Sequence, residues 1–122
     1  MNILVCAAEE IMMTAIEFRL QKHGFKLITA QNNDEAVQHL ETGSIDLLVT
    51  DLKSDDINGI EAIRYVRQVM KNELPIIIAA EMNDEDEILD AIKEGANDFV
   101  IKPFKPAELI VRIKRIFQDI IV

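Results

Sequence analysis

Five short apolar runs alternate along the chain with longer segments whose apolar residues recur every three or four positions. The runs fall at residues 2–6, 26–30, 46–50, 75–80 and 99–101. Those at 2–6, 46–50 and 75–80 are continuously apolar, as parallel strands covered on both faces require. The intervening periodicity predicts helices over 11–23, 34–42, 59–72, 84–94 and 106–121. Gly24 and Gly43 stand where the first two helices should end. Asn33-Asp34 and Asn83-Asp84 offer N-caps, Gly59 after Asn58 marks a loop-to-helix junction, and Pro106 suits a first helical turn. Strict alternation of strand and helix implies right-handed crossovers and an open parallel sheet between two helical layers, an α/β doubly wound fold.

In such a sheet, chemistry collects at the C-terminal ends of the strands. The residues placed there are Ala7, Ala8 and Glu9, then Asp51, then Ala80 and Glu81, then Lys102. An acid and a base from different strands facing one crevice point to an anion or phosphoryl site.

Composition narrows the picture. The 122 residues are 49% hydrophobic but only 5% aromatic, with no Trp, so the core is expected to be Ile, Leu, Val and Ala. One domain over 1–122 is expected, with no linker, repeat or output domain. A net charge of −9 argues against direct contact with nucleic acid or an anionic membrane. Cys6 is the sole cysteine and ends an apolar run, so it reads as a small core residue in a cytoplasmic protein. No signal peptide is visible, and no apolar stretch reaches the ~18 residues that span a bilayer. His23 and His39 read as surface helix residues, and the acids 84–87 as complements of a helix dipole. No glycine-rich phosphate loop, nucleophile–histidine pair or aromatic flavin sandwich occurs, which leaves a small enzyme or cofactor binder as a remote reading.

The segments ILVCAAEE, DLLVTDLKSDDINGIE, LPIIIAAE and EGANDFVIKPF, in that order and spacing, resemble the receiver domain of bacterial two-component response regulators. The resemblance covers essentially the whole chain. It implies a flavodoxin-like (βα)5 fold, three layers α/β/α, with a five-stranded parallel sheet in the order 2-1-3-4-5. Asp51 then takes the phosphoacceptor position. Lys102 becomes the partner of its carboxylate or of a phosphoryl group, and the Lys102–Pro103 bond should be cis. Ala7 and Ala8 stand where the family carries two metal-binding acids. Magnesium requires hard oxygen ligands, so its binding is expected to be weak or absent and no cofactor is assigned. Glu9 and Glu10 are the nearby acids that could substitute. Ala80 stands where a Ser or Thr hydroxyl latches the switch loop. Phe99 occupies the family's rotating aromatic position and is expected to be buried. Lys53 borders the site, and the sequence leaves open whether its ammonium approaches Asp51 or is simply exposed. Asp55 and Asp56 read as solvated loop acids.

A second face follows from the same resemblance. Asp98, Glu108, Arg112 and Arg115 match charges that pair across a homodimer of the fourth helix, fifth strand and fifth helix in regulators with winged-helix outputs. Asp98–Arg112 and Glu94–Arg115 are the expected pairs, while Ile88 stands where a basic residue belongs. Ile116, Phe117, Ile120, Ile121 and Val122 should pack on the sheet, with the last two able to touch a partner. The expected function is a stand-alone receiver in a phosphorelay. It would be a non-enzymatic binding module with impaired magnesium-dependent phosphorylation. Its partners would be a sensor histidine kinase, a phosphotransfer protein or an effector. The alternative is a receiver still phosphorylated on Asp51.

Overall fold

The computed structural model describes residues 1–121, apart from the side chains at 10–12 and 119–121. The sequence expectations for the side chains of Glu10, Ile120 and Ile121, and for Val122, lie outside the described residues.

The apolar runs become β1 (Asn2–Cys6), β2 (Lys26–Ala30), β3 (Leu47–Asp51), β6 (Ile76–Ala80) and β7 (Asp98–Ile101). They form one parallel sheet in the order β2-β1-β3-β6-β7, the flavodoxin-like arrangement. A two-residue antiparallel hairpin, β4 (Lys53–Ser54) with β5 (Ile57–Asn58), lies between β3 and the third helix. The helices are α1 (Glu10–Lys22), α2 (Asn33–Thr42), α3 (Gly59–Arg64), α4 (Glu85–Glu94) and α5 (Pro106–Ile121).

The sheet separates two apolar clusters, because successive side chains of a strand point to opposite faces. Leu4, Leu48, Ile76 and Ile78 meet Leu40, Ile63, Ile88 and Ala91 on one face. Ile3, Val5, Val49 and Ile77 meet Met13, Ile16, Leu109 and Ile113 on the other. β3 and β6 are buried at every residue, which explains the wholly apolar β6 and the apolar start of β3, whose last two residues, Thr50 and Asp51, are buried polar ones. Phe25 and Phe117 stack with ring centroids 5.6 Å apart and join the start of β2 to α5.

Local chemistry moved some boundaries. α2 is capped by Asn32, not by Asn33-Asp34: its side chain accepts from the Glu35 N–H at 2.9 Å. The Glu35 carboxylate in turn accepts from the Gln31 N–H at 2.8 Å. The first bond satisfies a donor that a helix start leaves open, and the second ties the residue before the cap to the same turn. The expected third helix, 59–72, ends as an α-helix at Arg64 and continues as a π turn, Tyr65–Val69. The Met70 N–H reaches back to the Tyr65 carbonyl at 2.9 Å, and the chain then leaves through Lys71 at φ +52°.

Arg67, on that π turn, was not singled out by the sequence. Its guanidinium donates to the carbonyls of Asn72, Leu74 and Gly95 and to the Asn97 side chain, at 2.8–3.2 Å. It thereby ties the loops before β6 and β7 together. Gly95 has φ +126°, and a Cβ there would lie 2.8 Å from Arg67 Nε. Arg67→Ala strands several carbonyls and is expected to cost about 2–4 kcal/mol in urea denaturation. Gly95→Ala should be destabilising through both the positive φ and the displaced guanidinium. A loss below about 0.5 kcal/mol for Arg67→Ala, the usual range for a surface change, would refute the clamp.

Candidate functional site

Parallel register brings four strand ends level: Cys6 lies opposite Thr50, Asp51 opposite Ala79, and Ala80 opposite Ile101. Asp51, the last residue of β3, is only 3% exposed. Lys102 arrives from the end of β7, where its N–H bonds the Ala80 carbonyl at 2.8 Å. Its ammonium sits 2.7 Å from Asp51 Oδ1. Asp51 Oδ2 accepts the Ala8 N–H at 3.2 Å. The Lys102–Pro103 bond is cis. The acid and base expected at the crevice are therefore in direct contact.

Gly59 holds the segment after Asp51 close. Its N–H bonds the Leu52 carbonyl at 2.8 Å. A Cβ on it would fall 2.6 Å from the Asp51 carbonyl oxygen. The glycine expected for backbone freedom is needed instead for this close approach of two main chains.

Lys53 turns away from Asp51. Its ammonium lies 3.1 Å from Asp84 and 3.4 Å from Glu87, at the start of α4. The sequence left this open, and two acids on one neighbouring helix end decided it. Asp84 is the other residue that sequence reasoning undervalued. It is buried, and its carboxylate accepts the Glu81 N–H at 3.1 Å rather than capping α4. Burial pushes the Asp84 carboxyl upward, but the Glu81 N–H and then the Lys53 ammonium outweigh it, so it lies below its ordinary value. Hydrogen bonds to Asp84 and Glu87 hold Lys53 above the ordinary lysine value.

The sign of the pH effect follows. A depressed carboxyl contributes stability above its unfolded value, 3.8, that is lost as pH falls through the lower folded value. The raised lysine contributes stability below its unfolded value, 10.5, that is lost as pH rises through the folded one. The stability difference between the parent and Asp84→Asn, measured in urea, should be constant across neutral pH. It should shrink below about pH 4. A difference that grows in acid would contradict the pairing.

Ala7 and Ala8 bring no side-chain oxygen to Asp51. Glu9 is exposed at the N-cap of α1 and makes no side-chain capping bond. Among the described residues, no three His, Cys, Asp or Glu side chains converge as a metal site. A divalent cation needs several hard oxygens around it. Among the described residues, the strand-end position after β1 offers methyl groups in place of such oxygens, and the Asp51 carboxylate is already paired with an ammonium.

A cavity of about 260 Å³ opens beside this pair. Val5, Met13, Ile16, Val49, Ala79 and Phe104 give it apolar walls, with Glu9, Asp51, Glu81 and Lys102 as its charged residues. Cys6 is buried, and its thiol donates to the Asn32 carbonyl at 3.6 Å. Burial chiefly, with the Asp51 and Glu35 charges, pushes that thiol up to about 11 against a lowering Thr50 hydrogen bond. It is a protonated core residue at neutral pH.

One expectation needs correction. Phe99 is 36% exposed, not buried, because β7 is the edge strand and the sheet ends beside it. Ala80 is buried and supplies no hydroxyl. Most of the charges placed on the expected dimer face also have partners within the chain. Arg112 bonds both Asp98 oxygens at 2.8 and 2.9 Å and lies 3.8 Å from Glu108, one helical turn earlier. Within the chain Glu94 pairs with Arg64 at 3.1 Å, and Arg115 is exposed. Ile88 is part of the core.

The sequence model of the response regulator receiver domain matches residues 3–114. The chain belongs to this family. It is 34% identical over 117 residues to the alkaline phosphatase synthesis transcriptional regulatory protein PhoP of Bacillus subtilis, covering 96% of this chain and 48% of that protein. It is 30% identical over 120 residues to the phosphate regulon transcriptional regulatory protein PhoB of Escherichia coli, covering 98% of this chain and 52% of that protein. The chain thus spans about half the length of these relatives. Among solved structures, a response regulator from Thermotoga maritima superimposes with TM-score 0.82 at 28% identity, covering 96% of this chain and 97% of that one. One from Chloroflexus aurantiacus gives 0.83 at 29%, covering 94% and 95%. Among the described residues, no helix of this receiver is long and apolar enough to cross a membrane.

Proposed function

We propose that this receiver acts as a protein-binding module of two-component signalling in which magnesium-dependent phosphorylation of Asp51 is impaired. The observation that carries the reading is the pair of methyl groups, Ala7 and Ala8, beside a buried carboxylate whose only cationic partner among the described residues is Lys102 at 2.7 Å. Phosphoryl transfer depends on positioned cations to neutralise charge on the moving oxygens. One ammonium, already bonded to the acceptor, is a poor replacement for a divalent ion. Ala80 further removes the donor that would hold a phosphoryl group and draw the neighbouring loop inward. Asp51 keeps the acceptor position and Lys102 stays its partner, but phosphoryl transfer from a donor to Asp51 lacks the cation that would neutralise the moving group.

In this reading the molecule is a signalling partner and not an enzyme. A sensor histidine kinase, a phosphotransfer protein or an effector would bind the surface around the crevice or the α4 face. The in-chain Asp98–Arg112 pair must open, or be shared, before those charges could join a second copy. The test is to incubate the protein with Mg²⁺ and acetyl phosphate and weigh it intact. The expected result is no added phosphate on the parent under conditions that label an ordinary receiver. Stoichiometric labelling that disappears in Asp51→Asn would establish a working receiver instead.

A further inference from the structure

Ala7 lines the cavity beside Asp51 with no more than a methyl group. The 260 Å³ cavity is larger than the ~150 Å³ that accommodates a benzene ring in an engineered apolar core. Met13 and Ile16 of α1, Val49 and Ala79 of the sheet, and Phe104 after β7 make its walls apolar. Asp51 joins this lining almost wholly removed from water, at 3% exposure. A carboxylate offers about four acceptor positions, and Asp51 uses one oxygen for Lys102 and the other for a single backbone N–H at 3.2 Å. Acceptor capacity therefore remains on a buried carboxylate that lines a largely apolar cavity.

The charges choose the ligand. Among the described residues, Glu9, Asp51 and Glu81 line the cavity against one cation, Lys102. An anionic ligand would meet Glu9 and Glu81, and a neutral one would leave the excess negative charge uncompensated. We propose that this cavity is a binding site for a small organic cation, an amine or amidine carried on an apolar body about the size of one ring. Its N–H groups donate to Asp51 Oδ2, and its body lies against Met13, Ile16 and Phe104. The inference rests on the reading that no divalent ion fills the crevice.

The test uses the isotopically labelled full chain and three isosteric probes: benzamidine, neutral benzamide and anionic benzoate. Benzamidine should shift the amides of Ala8, Met13 and Phe104 along a saturating curve. Benzamide should bind at least about tenfold more weakly, the difference between a charge-assisted and a neutral hydrogen bond. Asp51→Asn should weaken benzamidine by a similar factor, and Ala7→Leu, which narrows the cavity, should abolish the shifts while leaving the spectrum folded. Equal binding of all three probes, or of benzamidine to parent and Ala7→Leu, overturns the proposal. Mg²⁺ titrated into the same samples separates the two readings. Saturable Mg²⁺ shifts at Ala8 would overturn the metal-free reading and this inference with it. Silence toward both Mg²⁺ and benzamidine overturns this inference alone.

Discussion

Replacing Ala7 and Ala8 together by aspartate is expected to create a magnesium site at the end of β1. The double variant should bind Mg²⁺ at least about a hundredfold more tightly than the parent. Loss of mere outer-sphere partners already costs metal sites 10–100-fold, and these positions supply direct oxygen ligands. Phosphate labelling of Asp51 by acetyl phosphate should rise in step, because the cation neutralises the transferring group. The variant should also show a cost. Without metal, added carboxylates crowd Asp51, and like charges in one site disfavour ionisation. In EDTA its Tm should therefore fall below that of the parent and recover on adding Mg²⁺. The parent's Tm should be indifferent to both additions. A parent that binds Mg²⁺ as tightly as the double variant would remove the basis of the proposed impairment.

The second large effect concerns the ion pair itself. Asp51 is 3% exposed by residue and Lys102 21% by side chain, with 2.7 Å between nitrogen and oxygen. Removing one partner of such a pair leaves an uncompensated buried charge, which costs about 3–5 kcal/mol. Lys102→Met should fall near the lower end, about 3 kcal/mol, since one side of the pair still meets water. Asp51→Asn added to Lys102→Met should recover most of that loss, because no charge is then stranded. Urea denaturation of the parent, both single variants and the double variant closes the cycle. Simple additivity of the two substitutions would mean that the contact is geometric only.

The fold was legible because its central strands leave no ambiguity. Ile76–Ala80 has no polar face and cannot be an exposed antiparallel strand, while the alternation with helices sets the topology. The sheet order and the Asp51–Lys102 contact were legible through the receiver resemblance, not through periodicity. What stayed hidden has physical causes. Lys53 has a long flexible stem, and only tertiary placement of Asp84 and Glu87 shows which acids it reaches. Asp84 sat in an acidic run that suits any helix start, so its burial left no local trace. The π turn at Tyr65–Val69 shares its residue types with an ordinary helix and is set by the Arg67 clamp and the turn at Lys71. Phe99 was misjudged because apolar character says nothing about lying at a sheet edge. Asp98 and Arg112 suit a pair within one chain as well as one between chains, and residue identity does not distinguish them.

The packing of α1 against α5 has a consequence for how the molecule is made. The sheet face carrying Ile3, Val5 and Val49 is covered partly by Leu109, Ile113 and Phe117, more than a hundred positions after β1 begins. During ribosomal synthesis this greasy surface stays open until α5 emerges, however early the first strands pair. Such a nascent intermediate is prone to aggregation. Assembly should therefore finish in one late cooperative step, with α5 docking as the event that closes the chain.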